Sequence, residues 1–279
     1  AVRRVEAEAW YYLGIVRQRW NRIEQAAADY AQAHDVDPQP VAYLVAACEM
    51  LLDLRRPEEA EAMIEPVIDR YEGDPSLLVL LARAAMLRDD PAEAAARYAE
   101  ARVLRPDDSL LTEEYVRAAF EAGLYRDVLA TLDTHLAGFA EPRPDLLRIE
   151  ARAEAMLGRL ETADAVYREL LRHAPGDVQA WVEHGTLAWE MGEMARLEAC
   201  GVRVVRLAPE RWEGWMYRGL AAEAEEDLDE AERLLREATG RAPQDALPHL
   251  MLARVLEARG DREAAEGAWR AAIAASPED

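Results

Sequence analysis

The chain has no lysine, a single asparagine (Asn21), two cysteines (Cys48 and Cys200) and no apolar run long enough to cross a bilayer. Two cysteines fit neither a disulfide framework nor a metal-ligand motif. That argues against a secreted disulfide scaffold and tilts the expected compartment toward the cytoplasm and away from the periplasm. No secretory leader pattern is present, and Ala1 stands where an initiator methionine would. A processed or excised piece of a longer protein is therefore expected. All 33 basic residues are arginine, which together with abundant alanine reflects GC-rich bacterial coding more than a physical demand.

Basic charge is also scarce relative to acidic charge. With 55 acidic residues the net charge is −22, which repels phosphate backbones and anionic lipid surfaces, so neither nucleic acid nor membrane insertion is expected. Enzyme signatures are missing: there is no G-x-S-x-G, phosphate-binding glycine loop, H-E-x-x-H or paired C-x-x-C. The five histidines, His34, His135, His173, His184 and His249, are scattered, whereas a metal site needs converging ligands, so no metal and no cofactor is expected. Neighbouring carboxylates such as Glu113 and Glu114 are expected to be solvated surface in so acidic a chain.

What is present is a repeat. Eight segments align at 7–40, 41–74, 75–108, 109–142, 144–177, 178–211, 212–245 and 246–279. Small or modest residues fill the eighth position (Gly14, Cys48, Ala82, Val116, Ala151, Gly185, Gly219, Ala253) and the twentieth (Ala26, Ala60, Ala94, Val128, Ala163, Leu197, Ala231, Ala265). The fourth carries Trp10, Leu44, Leu78, Thr112, Leu147, Trp181, Trp215 and His249, and the twenty-fourth mostly large apolar residues from Tyr30 to Trp269. Proline recurs at the thirty-second position, as in Pro38, Pro106, Pro175, Pro209, Pro243 and Pro277. Two amphipathic helices per segment follow: small columns let them approach, large ones fill the gap, and proline ends the second helix. Acidic residues open several second helices, where the helix dipole favours them.

These columns resemble the tetratricopeptide repeat, a 34-residue helix-turn-helix with a W-x2-L-G … A-x3-F … P pattern. Trp10-Leu13-Gly14 … Ala26-x3-Tyr30 … Pro38 carries the likeness most plainly. The resemblance implies an all-α fold, a right-handed superhelical solenoid of antiparallel helix pairs forming one array over 1–279. The fourth repeat departs most, with Thr112, Val116, Val128 and His135 in signature columns, and one extra residue within 138–144 is expected to widen the loop there and alter the pitch. Residues 1–6 are expected to extend the first helix. The eighth repeat ends without a polar cap, so Trp269 and Ile273 are expected to be partly exposed and to permit end-to-end self-association.

In proteins of this kind the first helix of each repeat lines a concave groove. The resemblance places Tyr11, Tyr12, Phe120, Trp189, Met216 and Tyr217 on that face, or else packed on the neighbouring helix. At the ninth position repeats three to five carry Arg83, Arg117 and Arg152, with Arg148 one turn before Arg152. Arginine forks bind carboxylates in pairs, at roughly 1.5–3 kcal/mol per charge-assisted bond, so the stripe suits an acidic peptide or a free C-terminus. Internal ion pairing is the competing reading, since Glu113 precedes Arg117 by four residues and Glu49 occupies the ninth position beside Arg83. The groups that clamp chaperone C-termini in this family, lysines and asparagines at groove positions, are missing. The expected function is a non-catalytic protein-interaction scaffold or adaptor. The alternatives are the recognition arm of a larger enzyme, such as a glycosyltransferase or kinase, and a self-assembling structural protein.

Overall fold

A computed structural model describes residues 2–71, 74–136, 138 and 142–276, and among them the chain forms sixteen α-helices and no strand. The helices are α1 (Val2–Arg19), α2 (Ile23–Val36), α3 (Val41–Asp53), α4 (Pro57–Ile64), α5 (Pro75–Leu87), α6 (Pro91–Leu104), α7 (Ser109–Glu121) and α8 (Tyr125–Leu136). They continue with α9 (Pro144–Met156), α10 (Leu160–His173), α11 (Val178–Glu190), α12 (Met194–Leu207), α13 (Trp212–Ala224), α14 (Leu228–Arg241), α15 (Ala246–Arg259) and α16 (Arg262–Ala275). Successive helices pair antiparallel, two to each sequence repeat. They gather into two compact bodies, residues 1–139 and 140–279. Residues 139–141 of the expected wider loop, and Pro277, lie outside the described residues.

The helix boundaries follow from local chemistry. Asp74, Asp108, Asp177 and Asp245 cap the first helices that follow them, each carboxylate accepting a backbone N–H of the first turn. Asp90, Asp227 and Asp261 do the same for second helices. In the second repeat Pro66 interrupts the pattern, since it cannot donate to the helical ladder. There α4 is the shortest of the sixteen helices and a 3-10 turn, Ile68–Tyr71, completes the repeat.

Every residue of the eighth and twentieth columns is buried, as is the twenty-fourth column through Leu235. Trp269 is half-buried and Ile273 exposed. The tryptophans of the fourth column differ from the expectation of core residues. Trp10, Trp181 and Trp215 are only half-buried. Trp181 Nε1 donates to the Pro175 carbonyl at 3.0 Å and Trp215 Nε1 to the Pro209 carbonyl at 2.9 Å, and His249 Nε2 lies 3.2 Å from the Pro243 carbonyl. Each ring thus ties the start of a repeat to the proline that closed the one before.

Two further columns emerge only in three dimensions. The fifteenth residue of every repeat ends the first helix in the left-handed region: Asn21, Arg55, Asp89, Gly123, Gly158, Gly192, Glu226 and Gly260 all have φ between 57° and 83°. An acid at the twenty-first position pairs with a base in the following repeat. Glu61 meets Arg88 at 2.9 Å, Asp164 meets His184 at 2.8 Å, Glu198 meets Arg218 at 3.2 Å, and Glu232 pairs with Arg259. Asp164 is the most enclosed of these junctions, also accepting from Arg168 at 3.0 Å and Arg196 at 2.8 Å. Burial raises the Asp164 carboxyl, but the His184 hydrogen bond and the Arg196 and Arg168 charges outweigh it and hold it below the usual range. Burial pulls His184 below the ordinary imidazole value, against the opposing pull of Asp164. Its Nδ1 is enclosed with no hydrogen-bond partner among the described residues, so a second ring proton would be stranded there.

Two outcomes follow. A β-carbon in the left-handed region costs roughly 1–2 kcal/mol, of which the extra unfolded-state freedom of glycine offsets about 0.5–1 kcal/mol. Glu226→Gly should therefore raise stability by about 0.5–1 kcal/mol, read as an upward shift of the urea midpoint; an unchanged or lower midpoint contradicts it. His184, whose folded pKa lies below the ordinary imidazole value, stabilises the fold above that ordinary value and loses this contribution as pH falls through the folded one. Urea unfolding at pH 7.5 and 5.5 should show a larger loss in the native chain than in His184→Gln. Equal losses would remove His184 from the acid response.

Candidate functional site

The first-helix faces divide into positions that pack and positions that face solvent. In residues 1–139, Tyr11 is half-buried, its ring 5.4 Å from Tyr30 and 5.0 Å from Tyr43, while Tyr12 is largely exposed. Phe120 is half-buried, edge-on to Tyr125 at 5.4 Å. On α5 Arg83 is exposed, and among the described residues it makes no hydrogen bond or ion pair. The Glu49–Arg83 pair that the sequence allows is not formed. Arg117 on α7 is engaged by Glu114 at 2.9 Å and Glu113 at 3.7 Å. Contrary to the expectation of solvated surface, Glu113 is buried, where it also lies 3.9 Å from His135.

Two clefts open along α5 and meet at Arg83, Tyr98 and Glu114. The one toward the start of α5, about 310 Å³, has Val45, Val79 and Leu110 among its walls. The other, about 500 Å³, has Leu52, Met86 and Leu87 among its walls, together with the charged Asp53 and Arg55. The contributions of Tyr98 and Leu110 were not foreseen. Tyr98 reaches the clefts from a second helix and Leu110 stands at the second position of α7, a groove position whose leucine is exposed.

In residues 140–279 the same face is mostly committed to packing. Arg148 is held by Asp177, and its guanidinium lies 3.8 Å from Glu183. Arg152 is exposed and lies near Tyr167, whose phenol burial pushes well up against the smaller opposing pull of the Arg152 charge. Trp189 is half-buried against the core that runs from α11 to α16. Met216 and Tyr217 do not line a groove: both are fully enclosed. The cause for Tyr217 is Gly201, which leaves the twenty-fourth position of its repeat without a side chain. The Tyr217 ring instead covers Gly185, so closely that a β-carbon there would meet it at 2.3 Å. Its hydroxyl donates to the Val182 carbonyl at 2.9 Å and lies 2.8 Å from Thr186 Oγ1. Gly201 in a column of large residues was the available signal.

The titratable clusters have structural geometry. Ser109 Oγ and Glu113 Oε1 lie 3.5 Å and 3.9 Å from the same nitrogen of His135, Nε2. Cys48 and Cys200 are enclosed, and burial pushes both thiols up to about 12, far from a reactive thiolate. Among the described residues no group of three or more candidate ligands converges on a metal position. No described helix is long and apolar enough to cross a membrane.

Two tetratricopeptide repeat family models match the chain, one over residues 144–187 and the other over 50–109 and 182–246, together more than half of its length. The chain is similar to "Cellulose synthase 2 operon protein C" of Komagataeibacter xylinus, at 29% identity over 78% of this chain, and spans about a fifth of that relative's length (20%). Among solved structures it resembles the C-terminal part of a repeat-containing protein from Cytophaga hutchinsonii, with a TM-score of 0.66 at 15% identity, covering 84% of this chain and 96% of that one. A tetratricopeptide repeat protein from Parabacteroides merdae matches with a TM-score of 0.61 at 14% identity, over 96% of this chain and 98% of that one. At such identities the two structures speak for the fold alone.

Proposed function

The chain belongs to the tetratricopeptide repeat proteins, and on that premise we propose that it is a non-catalytic scaffold or adaptor holding a segment of a partner protein against the first-helix faces of residues 1–139. Repeats of this family are in general protein-interaction modules. The observation that carries the reading is the pair of clefts meeting at Arg83, where aliphatic side chains stand beside an arginine that makes no hydrogen bond or ion pair among the described residues. Pockets with apolar walls and a few polar groups suit peptide side chains. The remaining arginines of the stripe are secondary in this reading, because Arg117 and Arg148 are held by carboxylates of the chain itself.

A photoreactive residue introduced at Met86 should crosslink the partner, whereas the same residue at Arg126, exposed on the second helix α8, should not. Equal capture from both positions would contradict a groove site.

The likeness to the cellulose synthase operon protein supports a second setting, in which the scaffold serves a polysaccharide synthase as part of a longer protein. Binding of the chain to purified cellulose synthase subunits of Komagataeibacter xylinus is then expected. Absence of binding at micromolar concentration would set that reading aside and leave the groove untouched.

A further inference from the structure

Charge in the α5 furrow is unevenly committed. Glu114 is occupied by Arg117 at 2.9 Å, Asp108 caps α7 through the Leu111 N–H at 3.1 Å, and Arg105 reaches Ser76 Oγ at 3.3 Å. Among the groups where the two clefts meet, Arg83 is left as a cation with its donors unused. Beside it Tyr98 is almost wholly enclosed, yet its hydroxyl makes no protein hydrogen bond among the described residues. Burial pushes that phenol up to about 12, so it stays protonated and offers a second donor.

Spacing adds a further condition. Val79, Arg83 and Met86 follow one another along a single face of α5, one helical turn apart. From Val79 to Met86 the helix rises about 10 Å. In an extended segment, alternate side chains face the same side and recur about every 7 Å, so three of them span about 13 Å. Side chains that reach outward into the two clefts bridge the small difference.

We propose that the furrow recognises an extended segment of a partner protein in the pattern aliphatic–x–acidic–x–aliphatic, with the carboxylate on Arg83 and the aliphatic side chains in the clefts at Val79 and Met86. This rests on the groove reading above and makes it specific. A free C-terminus is not required, because the furrow continues past Arg83 in both directions. Glu49 and Asp53 on the α3 wall carry no internal ion pair among the described residues, and they disfavour a second acid on that side of the segment.

The test uses the full chain and fluorescein-labelled nine-residue peptides with a Leu-Ser-X-Ser-Leu centre, where X is Glu, Gln or Lys, read by fluorescence anisotropy. The Glu peptide should bind roughly tenfold or more tighter than the Gln peptide, as a charge-assisted arginine contact implies. Arg83→Ala should bring that ratio near one, and Arg83→Glu should reverse the order in favour of Lys. A Glu preference that survives Arg83→Ala, or equal binding of Glu and Gln peptides to the native chain, overturns the acidic pattern while leaving the groove reading standing. No binding by any peptide also overturns it, and the Met86 crosslink then judges the groove separately.

Discussion

The structure depends on one packing constraint: wherever two helices meet closely, a small residue must face a large one. In the first, sixth and seventh repeats the backbones approach so tightly that no β-carbon fits on one side. At Gly14 a β-carbon would lie 2.6 Å from the Tyr30 ring, and at Gly219 it would lie 2.8 Å from Leu235. Both are contacts within one repeat, between the eighth and twenty-fourth columns. In the sixth repeat the large partner is absent, since Gly201 occupies its place, and the contact passes to Tyr217 of the next repeat. The constraint is kept while its source changes. A helix pair alone buries only one side of itself, so the nearest neighbour must complete each core. The exchange at Tyr217 shows how literally the neighbour can do so.

Charge acts on a second level. The acid at the twenty-first position binds a base one repeat onward, usually arginine and once His184. Such partly buried pairs contribute little net stability, because removing two charges from water offsets most of their attraction. Their value is directional: a carboxylate enclosed without its partner is costly, so each pair favours one register between successive repeats. The αL residue at the fifteenth position works in the same sense, turning the chain sharply enough for the second helix to fold back on the first.

Much of this was legible in the sequence. The columns at eight, twenty, twenty-four and thirty-two gave the helix pairs and nearly all of the core, because small–large alternation and proline act locally. Other features were hidden for physical reasons. Asn21, Arg55, Asp89 and Glu226 share a backbone conformation with four glycines, and their side chains do not announce it. The indole N–H of Trp181 satisfies a proline carbonyl six residues earlier, which column counting reads only as bulk. Arg148 looked available because Asp177, its partner, lies 29 residues onward and was read only as the end of a repeat. Met216 and Tyr217 looked like groove residues because their positions usually are. The nearby glycine withdrew Tyr217.

These misses share a direction that bears on function. Tyr217 and Arg148 left the candidate site because the array itself claimed them: Tyr217 for packing on the preceding repeat, Arg148 for an ion pair with Asp177 at the end of its own repeat. A binding face in a repeat array is therefore what remains after stacking has taken its share, and it cannot be read from groove positions alone. In an acidic chain the share taken from arginine is large, since a carboxylate is usually within reach. Of the acids that line the furrow, Glu114 is taken by Arg117 and Asp108 by the start of α7, while Glu49 and Asp53 carry no ion pair among the described residues. That balance leaves Arg83 with no hydrogen bond or ion pair among the described residues, between walls that mix aliphatic and charged side chains and beside the Tyr98 phenol.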